Sequence, residues 1–461
     1  MKEKLIVLSM DAMVGEDIDY LRTKPHFSKL MAHAAQVGAV QTVYPSITYP
    51  AHVSMITGCC PGKTGIYTNM HFHTRPTPHP DWHLDSREIR VGDLFAAAKE
   101  AGATTASVYW PVTGNNPNVD WLINELFFYE NEPPEEAFRV WGANDETIAV
   151  VRENLHRFPS RRGVTAEPLT RAHTFDDFIM GCTCSMIRRY QPDLLLAHNC
   201  IMDTARHRNG IFNPAVTAAL DLADEWFGEV IKALEDAGLW EVANVAIVSD
   251  HGQMDFVRRL KINALLHRGG FLTLDEGGHV TSWRAYAVSN GMSVSVFLNG
   301  ADEKLRQEVY DYLNALRQEG VWGFDRILTA EEAREEYGVW GDFTFMLETD
   351  GYTSFSDSCR EPVVAEMDLS DYRLGKATHG YQPQKGPQPV WVARGPAFRP
   401  DAFFAPCRDH RRGAHVGGGS GRPNAPGGRT GPARTAGVAV KRRICPNRHR
   451  KTYRLGVHVR R

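Results

Sequence analysis

The sequence predicts an α/β protein with a mostly parallel central sheet, flanking helices and a smaller inserted lobe. Short apolar runs alternate with helical patterns along most of the chain, as they do in parallel α/β folds. With 461 residues, of which 43% are hydrophobic, the chain is long enough to bury a substantial core. Aspartates follow several of the apolar runs, which is where open α/β sheets place ligands.

Each element is predicted from its periodicity. The predicted strands are short apolar runs that cover residues 5–10, 105–109, 194–197, 245–249 and 390–393. The predicted helices carry apolar residues at helical spacing and cover residues 50–57, 91–101, 215–237 and 302–318. Apolar and polar residues alternate over 285–299, which indicates a hairpin or an edge strand.

The composition divides the chain into two unequal parts. Residues 1–400 form the predicted main domain, in which about 254–377 supply a cap or inserted lobe. The chain has 52 Lys and Arg and 55 Asp and Glu, but residues 407–461 hold 15 of those cations and one of those acids. We interpret this Gly-, Pro- and Arg-rich segment as a disordered basic tail. Contact with nucleic acid or another polyanion and a shifted reading frame are the alternatives.

Several protein classes are disfavoured by the sequence. No apolar run approaches the length of a transmembrane helix, and the run at 5–10 is too short for a signal peptide and is followed by no cleavage site. The eight cysteines form no CxxC pair, which argues against a zinc ribbon or a disulfide scaffold. We therefore expect no membrane partner and a reduced, cytoplasmic setting. No pattern indicates an oligomeric state.

The segment YPSITYPAH at residues 44–52 is the most informative feature of the chain. It places the Thr48 hydroxyl at the expected change from strand to helix, between two prolines, with the Asn69 amide downstream. A threonine at a helix start is often simply an N-cap. A nucleophilic role is favoured here because the same chain supplies acidic and imidazole side chains able to activate the hydroxyl.

Acidic and imidazole residues form the candidate metal site. The aspartates that follow predicted strands are Asp11, Asp203 and Asp250. His207 lies four residues after Asp203, so both face one side of a helical turn. His251 adjoins Asp250, and a shared metal requires a turn there, which Gly252 permits. With His379 further along, carboxylates and imidazoles without thiolate are typical ligands of catalytic Zn²⁺ and also fit Mn²⁺.

Four motifs occur in order along residues 4–400. The first is the block from 44 to 69, which contains YPSITYPAH, TG at 57–58, GI at 65–66 and Asn69. The other three are DxxxHxxG at 203–210, SDHGQM at 249–254 and THGY at 378–381. Together they resemble the type I phosphodiesterase/nucleotide pyrophosphatase branch of the alkaline phosphatase superfamily. The resemblance implies an alkaline-phosphatase-like fold and a small-molecule phosphate ester as substrate.

The resemblance also implies a role for each matched residue. One divalent ion would be held by Asp11, Thr48, Asp250 and His251. A second would be held by Asp203, His207 and His379. Asn69 would bind a phosphoryl oxygen, and Thr48 would form a phospho-threonine intermediate. Ala12 departs from the glycine often found after the first aspartate, and the Gly- and Arg-rich tail replaces the structured sequence with which the family normally ends.

The expected reaction is metal-dependent hydrolysis of phosphodiester or phosphoanhydride bonds. A phosphonate hydrolase like phosphonoacetate hydrolase, a phosphomonoesterase using the same site and a catalytically silent binding protein are the alternatives. A nucleotide-binding P-loop at 58–64 is disfavoured because three residues, not four, separate its glycines. A sulfatase is disfavoured as well, because the partial C-x-P-x-R match at 59–63 follows the TG turn whereas Thr48 precedes it.

Aromatic residues are the candidates for leaving-group contacts. Trp110 and the run at 127–129 could stack a nucleobase, although core packing is the commoner role of such side chains. The leaving group itself cannot be read from these residues.

Overall fold

The fold described below is that of a computed structural model. It describes residues 3–75, 77–128, 132–159, 170–171, 174–300, 302–365 and 375–404. The predicted tail at 407–461 and Tyr129 lie outside the described residues. Within these ranges, no helix combines the length and the apolar composition needed to cross a membrane. The six described cysteines are free thiols.

The elements follow in chain order. The strands are β1 Leu5–Met10, β2 Ala35–Val37, β3 Thr105–Val108, β4 Trp121–Ile123, β5 Leu194–Asn199, β6 Asn244–Val248, β7 Met254–Asp255, β8 Arg258–Lys261, β9 Leu272–Leu274, β10 Val280–Trp283, β11 Ala285–Ser289, β12 Ser293–Leu298, β13 Phe324–Thr329, β14 Phe345–Thr349, β15 Thr353–Ser356, β16 Val364–Ala365, β17 Ala377–Thr378, β18 Trp391–Arg394 and β19 Phe403–Phe404. The helices are α1 Ile18–Leu21, α2 Pro25–Met31, α3 Thr48–Thr57, α4 Pro61–Thr64, α5 Leu94–Glu100, α6 Pro134–Val140, α7 Asp145–Asn154, α8 Phe175–Tyr190, α9 Ile201–Asn209, α10 Pro214–Asp236, α11 Ile262–Arg268, α12 Glu303–Glu319 and α13 Ala330–Tyr337.

The central sheet has eight strands in the order β19-β2-β18-β6-β1-β5-β3-β4. The run from β6 to β4 is parallel throughout, and β18 is antiparallel to both of its neighbours, β6 and β2. The predicted fold class, an α/β fold with a mostly parallel sheet, is therefore confirmed. All five predicted strands belong to this sheet, with bounds shifted by at most two residues.

Strand β1 shows why the central strands read as continuous apolar runs. Ile6 and Leu8 lie on one face and belong to the core that packs under α2, α8 and α10. Val7 points to the other face and packs with Ile56 of α3 and Phe95 of α5. Because both faces are covered by helices, no position along the strand favours a polar residue.

A second, smaller core lies later in the chain. The four-stranded antiparallel sheet β11-β12-β14-β13 packs with α11 and α12 around buried residues such as Leu265, Val294 and Leu313. Its β11–β12 pair is a hairpin, which confirms the alternation over 285–299. These elements fall within the predicted lobe at 254–377, although the division of the chain into domains stays a prediction.

A buried ion pair fastens α9 to the loop after β1. The Arg206 guanidinium is fully buried and donates to both carboxylate oxygens of Asp17, at 2.7 and 2.5 Å. It also donates to the carbonyl of Ile211, and the Asp17 carboxylate accepts the Val14 N–H at 2.8 Å. The pair matters for function because Arg206 lies on α9 between two candidate metal ligands.

We predict that Asp17→Ala lowers the free energy of unfolding by roughly 3–5 kcal/mol, because it leaves a buried guanidinium without its counter-ion. Urea unfolding measures the change. Asp19→Ala is the matched control, since Asp19 is exposed and two residues away, and its effect should stay within about 0.5 kcal/mol. Equal effects of the two substitutions would contradict the structural role of the pair.

Candidate metal centre and nucleophile

Three buried carboxylates meet at one edge of the central sheet. Asp11 follows β1 directly, Asp250 lies two residues after β6, and Asp203 lies in the first turn of α9, which follows β5. Because β5, β1 and β6 are adjacent parallel strands, their carboxyl ends open on the same edge. The structure thus brings together the three aspartates that the sequence analysis selected.

The predicted histidines surround these carboxylates. His251 Nε2 lies 3.5 Å from Asp11 Oδ1 and 3.2 Å from Asp250 Oδ2. His207 Nε2 lies 3.3 Å from an oxygen of Asp203. This short distance is the i, i+4 geometry expected for the pair on a helix.

His379 completes the group from the far end of the chain. Its Nε2 is 3.7 Å from Asp203 Oδ1, and its ring centre is 4.0 Å from that of His251. Among the described residues, three triplets at this centre offer ligand atoms within 4.8 Å of one another, namely Asp11, Asp250 and His251, then Asp203, His251 and His379, and also Asp11, His198 and Cys200. His251 therefore lies between the two predicted ligand groups.

Thr48 begins α3 and faces this centre. The N-cap of α3 is Ile47, so Thr48 does not cap the helix, and its Oγ1 instead lies 3.2 Å from His251 Nε2. The expected strand before the helix is wrong, because β2 ends at Val37 and residues 38–47 form no helix or strand. Asn69 is close by: its Oδ1 accepts the N–H of Tyr49 at 3.0 Å, which directs its NH₂ group outward as a donor.

The charges at the centre favour the binding of cations. Burial, and then the nearby Asp250 and Asp203 carboxylates, raise the pKa of Asp11 well above its usual range. Burial by itself would raise the pKa of Asp203, but His207, His379 and His251 together outweigh burial and hold the pKa of that carboxyl low. Within the described ranges no Lys or Arg forms an ion pair with these aspartates.

Unpaired atoms point to the same conclusion. Asp11 Oδ1 and Asp250 Oδ2 are buried without a hydrogen-bond partner among the described residues, as is the Nδ1 atom of His251. Buried carboxylate oxygens without partners are costly unless they bind a cation. The donor atoms, all carboxylate oxygens and imidazole nitrogens, fit divalent ions such as Zn²⁺ or Mn²⁺.

Two close contacts of Ser46 hold His379 beside the segment that carries Thr48. The Ser46 hydroxyl donates to the carbonyl of Tyr381 at 2.7 Å, and the N–H of Gly380 donates to the Ser46 carbonyl at 3.0 Å. Gly380 has a φ of +100°, and a Cβ there would lie 1.7 Å from the Asn290 carbonyl oxygen. Glycine is required at this position by both its conformation and its surroundings.

Gly252 serves a different purpose from the one that we expected. Its φ is not positive, so it does not provide a special turn between Asp250 and His251. A Cβ there would lie 2.2 Å from the carbonyl oxygen of Pro387, so the missing side chain allows a close approach of two backbones.

The backbone explains the glycine expected at position 12. Ala12 has a φ of 55°, in the left-handed region that favours glycine, and its N–H donates to Asp250 Oδ1 at 3.2 Å. The turn after β1 thus carries the Asp11 carboxylate and also orients the Asp250 carboxylate through the Ala12 N–H. Ala12 thereby adopts a left-handed backbone conformation that is unfavourable for alanine.

Three further polar residues at the centre were missed by the sequence analysis. Gln253 donates to Asp203 Oδ1 at 2.5 Å, and His198 Nε2 lies 3.4 Å from Asp11 Oδ2. His52 Nδ1 contacts the Thr48 carbonyl at 2.8 Å, and burial and the neighbouring His198 lower its pKa to about 3, so the ring is neutral. His52 and Gln253 lie inside the matched motifs, whereas His198 lies within an apolar strand and carries no sequence signal.

The aromatic candidates divide between core and surface. Trp110 is buried and packs edge-on against His52 at 4.9 Å, and Phe128 belongs to the main core. Phe127 stacks on Trp82 with ring centres 4.5 Å apart, and both are half-buried. Trp82 also lies beside Tyr49, whose N–H binds Asn69. The stacked pair is therefore a half-buried aromatic surface that reaches the segment at residues 44–52 through Tyr49.

These features define an α/β protein with an acidic, histidine-rich centre suited to divalent cations, next to a hydroxyl at a helix start. The chain belongs to the type I phosphodiesterase/nucleotide pyrophosphatase family, whose sequence model matches residues 5–382.

Relatives within the family share its sequence at a low level. Human ectonucleotide pyrophosphatase/phosphodiesterase family member 5 is 23% identical over 286 residues, which are 60% of this chain and 50% of that protein. Bovine bis(5'-adenosyl)-triphosphatase ENPP4 is 24% identical over 271 residues, 56% of this chain and 49% of that protein. The matched region thus spans about half the length of these two relatives, and about a quarter of the length of family members 1 and 3.

Solved structures show the same fold. Murine ectonucleotide pyrophosphatase/phosphodiesterase 5 superposes with a TM-score of 0.57 at 20% identity, covering 87% of this chain and 91% of that one. An inactive threonine-to-alanine variant of the murine protein, in complex with AMP, superposes equally well, with a TM-score of 0.57.

We predict that Gln253→Met weakens the retention of divalent metal about 10- to 100-fold, because Asp203 loses the donor that orients it. Competition with a chelator measures the affinity. Gln384→Met is the control, since Gln384 is exposed and bonds the Tyr337 hydroxyl instead. Unchanged metal retention in a folded Gln253→Met protein would show that this contact does not support a ligand.

Proposed function

We propose that the protein hydrolyses phosphodiester or phosphoanhydride bonds in small-molecule phosphate esters, with Thr48 as the nucleophile. The observation that carries the proposal is the position of Thr48 Oγ1, which opens α3 and lies 3.2 Å from His251 Nε2, beside the buried carboxylates. A hydroxyl without a capping role, next to buried carboxylates that pair with no described Lys or Arg, is suited to displacement at phosphorus.

In this mechanism two divalent ions, with Zn²⁺ as the predicted metal, would lower the pKa of the Thr48 hydroxyl and neutralise charge on the attacking and leaving oxygens. Asp11, Asp250 and His251 would hold one of them together with Thr48. Asp203, His207 and His379 would hold the other.

The remaining steps are performed by the chain itself. Thr48 attacks phosphorus, the leaving group departs on the opposite side, and a phospho-threonine forms that water then hydrolyses. The Asn69 NH₂ group donates to the phosphoryl oxygen on which charge builds, because its carbonyl is already held by the Tyr49 N–H. The neutral His52 ring fixes the Thr48 carbonyl and so the first turn of α3.

The stacked Trp82–Phe127 pair is the surface that we propose for the leaving group. It lies beside the Asn69 segment and next to a mostly apolar cavity of about 250 Å³. A nucleotide is one suitable ligand, since bases stack on aromatic side chains. The murine relative in complex with AMP is in line with this choice.

We predict that Thr48→Ala lowers the rate of bis-p-nitrophenyl phosphate hydrolysis at least about 10³-fold while the unfolding temperature stays unchanged. Thr57→Ala is the control, because Thr57 lies on the same helix and its hydroxyl bonds only the backbone near Val53 and Cys59. Full activity of Thr48→Ala would overturn the mechanism.

The class of substrate is tested by comparing a diester, a monoester and a phosphonate on one enzyme preparation, with zinc and with manganese. We expect the highest kcat/KM for the diester or for a p-nitrophenyl nucleotide ester. Preference for the phosphonate or the monoester would keep Thr48 as nucleophile but change the substrate. Metal binding without turnover of any of them would instead identify a binding protein.

We predict that Trp82→Ala raises KM for a p-nitrophenyl nucleotide ester about 10-fold, since stacking of one base contributes about 1–3 kcal/mol. Steady-state kinetics give kcat and KM separately. Trp322→Ala is the control, because Trp322 lies in the second core and is partly exposed. An unchanged KM would place the leaving group elsewhere.

A further inference from the structure

A second group of metal-ligating side chains lies outside the centre described above. Within the described ranges, His71, His83 and Glu88 offer ligand atoms within 4.8 Å of one another, and we name them the His71 cluster. Glu88 Oε2 lies 2.5 Å from His83 Nδ1 and 3.3 Å from His71 Nε2. The two rings are 3.9 Å apart between their centres. One carboxylate oxygen is therefore the meeting point of two imidazole nitrogens.

The hydrogen bonds around His83 determine which of its nitrogens carries a proton. The Thr68 hydroxyl donates its single proton to the Met70 carbonyl at 2.8 Å. It can therefore only accept at its contact with His83 Nε2, 3.3 Å away, so Nε2 carries the proton in the neutral ring. The lone pair of Nδ1 then faces the Glu88 carboxylate. The His83 Nδ1 lone pair and the Glu88 Oε2 atom are both acceptors and lie 2.5 Å apart, so a cation between them is needed to offset their repulsion.

We propose that the His71 cluster binds a third divalent cation of the zinc type, separate from the catalytic pair. Two imidazoles and one carboxylate are a known ligand set for Zn²⁺, with water at the remaining positions. The side chains are 38%, 12% and 27% exposed for His71, His83 and Glu88, which leaves room for that water. Thr68 acts as the outer partner that orients a ligating histidine.

The location of the cluster gives the cation a positioning role. The N–H of His83 donates to the Asn69 carbonyl at 3.1 Å, and that of His71 donates to the Asp81 carbonyl at 2.8 Å. Met70 and Trp82 form a bridge between the same two chain segments. An ion held by one histidine from each segment would clamp them together, and so would steady the backbone that presents Asn69.

A proton between His83 and Glu88 is the competing explanation, and metal counting separates the two. Full-length chain is stripped with chelator and titrated with Zn²⁺, and bound zinc is measured by atomic emission after gel filtration. We expect His71→Gln, His83→Gln and Glu88→Gln each to bind one equivalent less than the wild type. His73→Gln is the matched control, because His73 pairs with Asp81 at 2.7 Å outside the cluster and should bind as much as the wild type.

The same titration in an Asp250→Ala, Asp203→Ala, His379→Ala background, which removes ligands of both proposed catalytic ions, makes the result independent of the proposed catalytic metals. That background should keep the extra equivalent, and Zn²⁺, but not Mg²⁺ at the same concentration, should raise its unfolding temperature. Both effects should disappear when His71→Gln is added. His71 is the most exposed ligand, so this variant should fold even if His83→Gln does not. Equal zinc in folded His71→Gln and parent proteins, in both backgrounds, would overturn the proposal.

Discussion

The crowding of three buried carboxylates at one sheet edge is the constraint on which the rest of the site depends. Asp11, Asp203 and Asp250 are neighbours because β5, β1 and β6 are neighbours. Burial and mutual repulsion raise the pKa of Asp11, and no described Lys or Arg pairs with the group. Divalent cations relieve this repulsion. The need for metal, the position of the histidines and the proposed activation of Thr48 all follow from it.

Interactions outside the centre hold this arrangement in place. The buried Arg206–Asp17 pair fastens α9, the helix that carries Asp203 and His207, to the loop after β1. Ser46 ties the segment that carries Thr48 to the strand end that carries His379. The predicted ligands come from distant parts of the chain, and Asp203 and Asp250 are oriented by donors of the protein, Gln253 and the Ala12 N–H.

The predicted strands and helices agree with the structure because their cause is local. Both faces of β1 are covered, so its residues are apolar throughout, and α10 carries an apolar face at helical spacing. The strand expected before Thr48 is absent, and Ser46 in that segment bonds Tyr381 and Gly380, which are far along the chain and which no periodicity records. For the same reason Gly252 appeared to be a turn residue, whereas Pro387 explains it.

What the sequence by itself determined is the chemistry: the fold class, the identities of the candidate ligands and the hydroxyl at a helix start. These depend on residue type and short spacing, such as the four residues between Asp203 and His207. Only the tertiary structure decided the geometry, including the place of His251 between the two ligand groups, the supporting roles of Gln253 and His198, and the meeting of His71, His83 and Glu88. Such contacts depend on the order of the strands in the sheet and on loop packing. Neither of these can be read from the spacing of residues along the sequence.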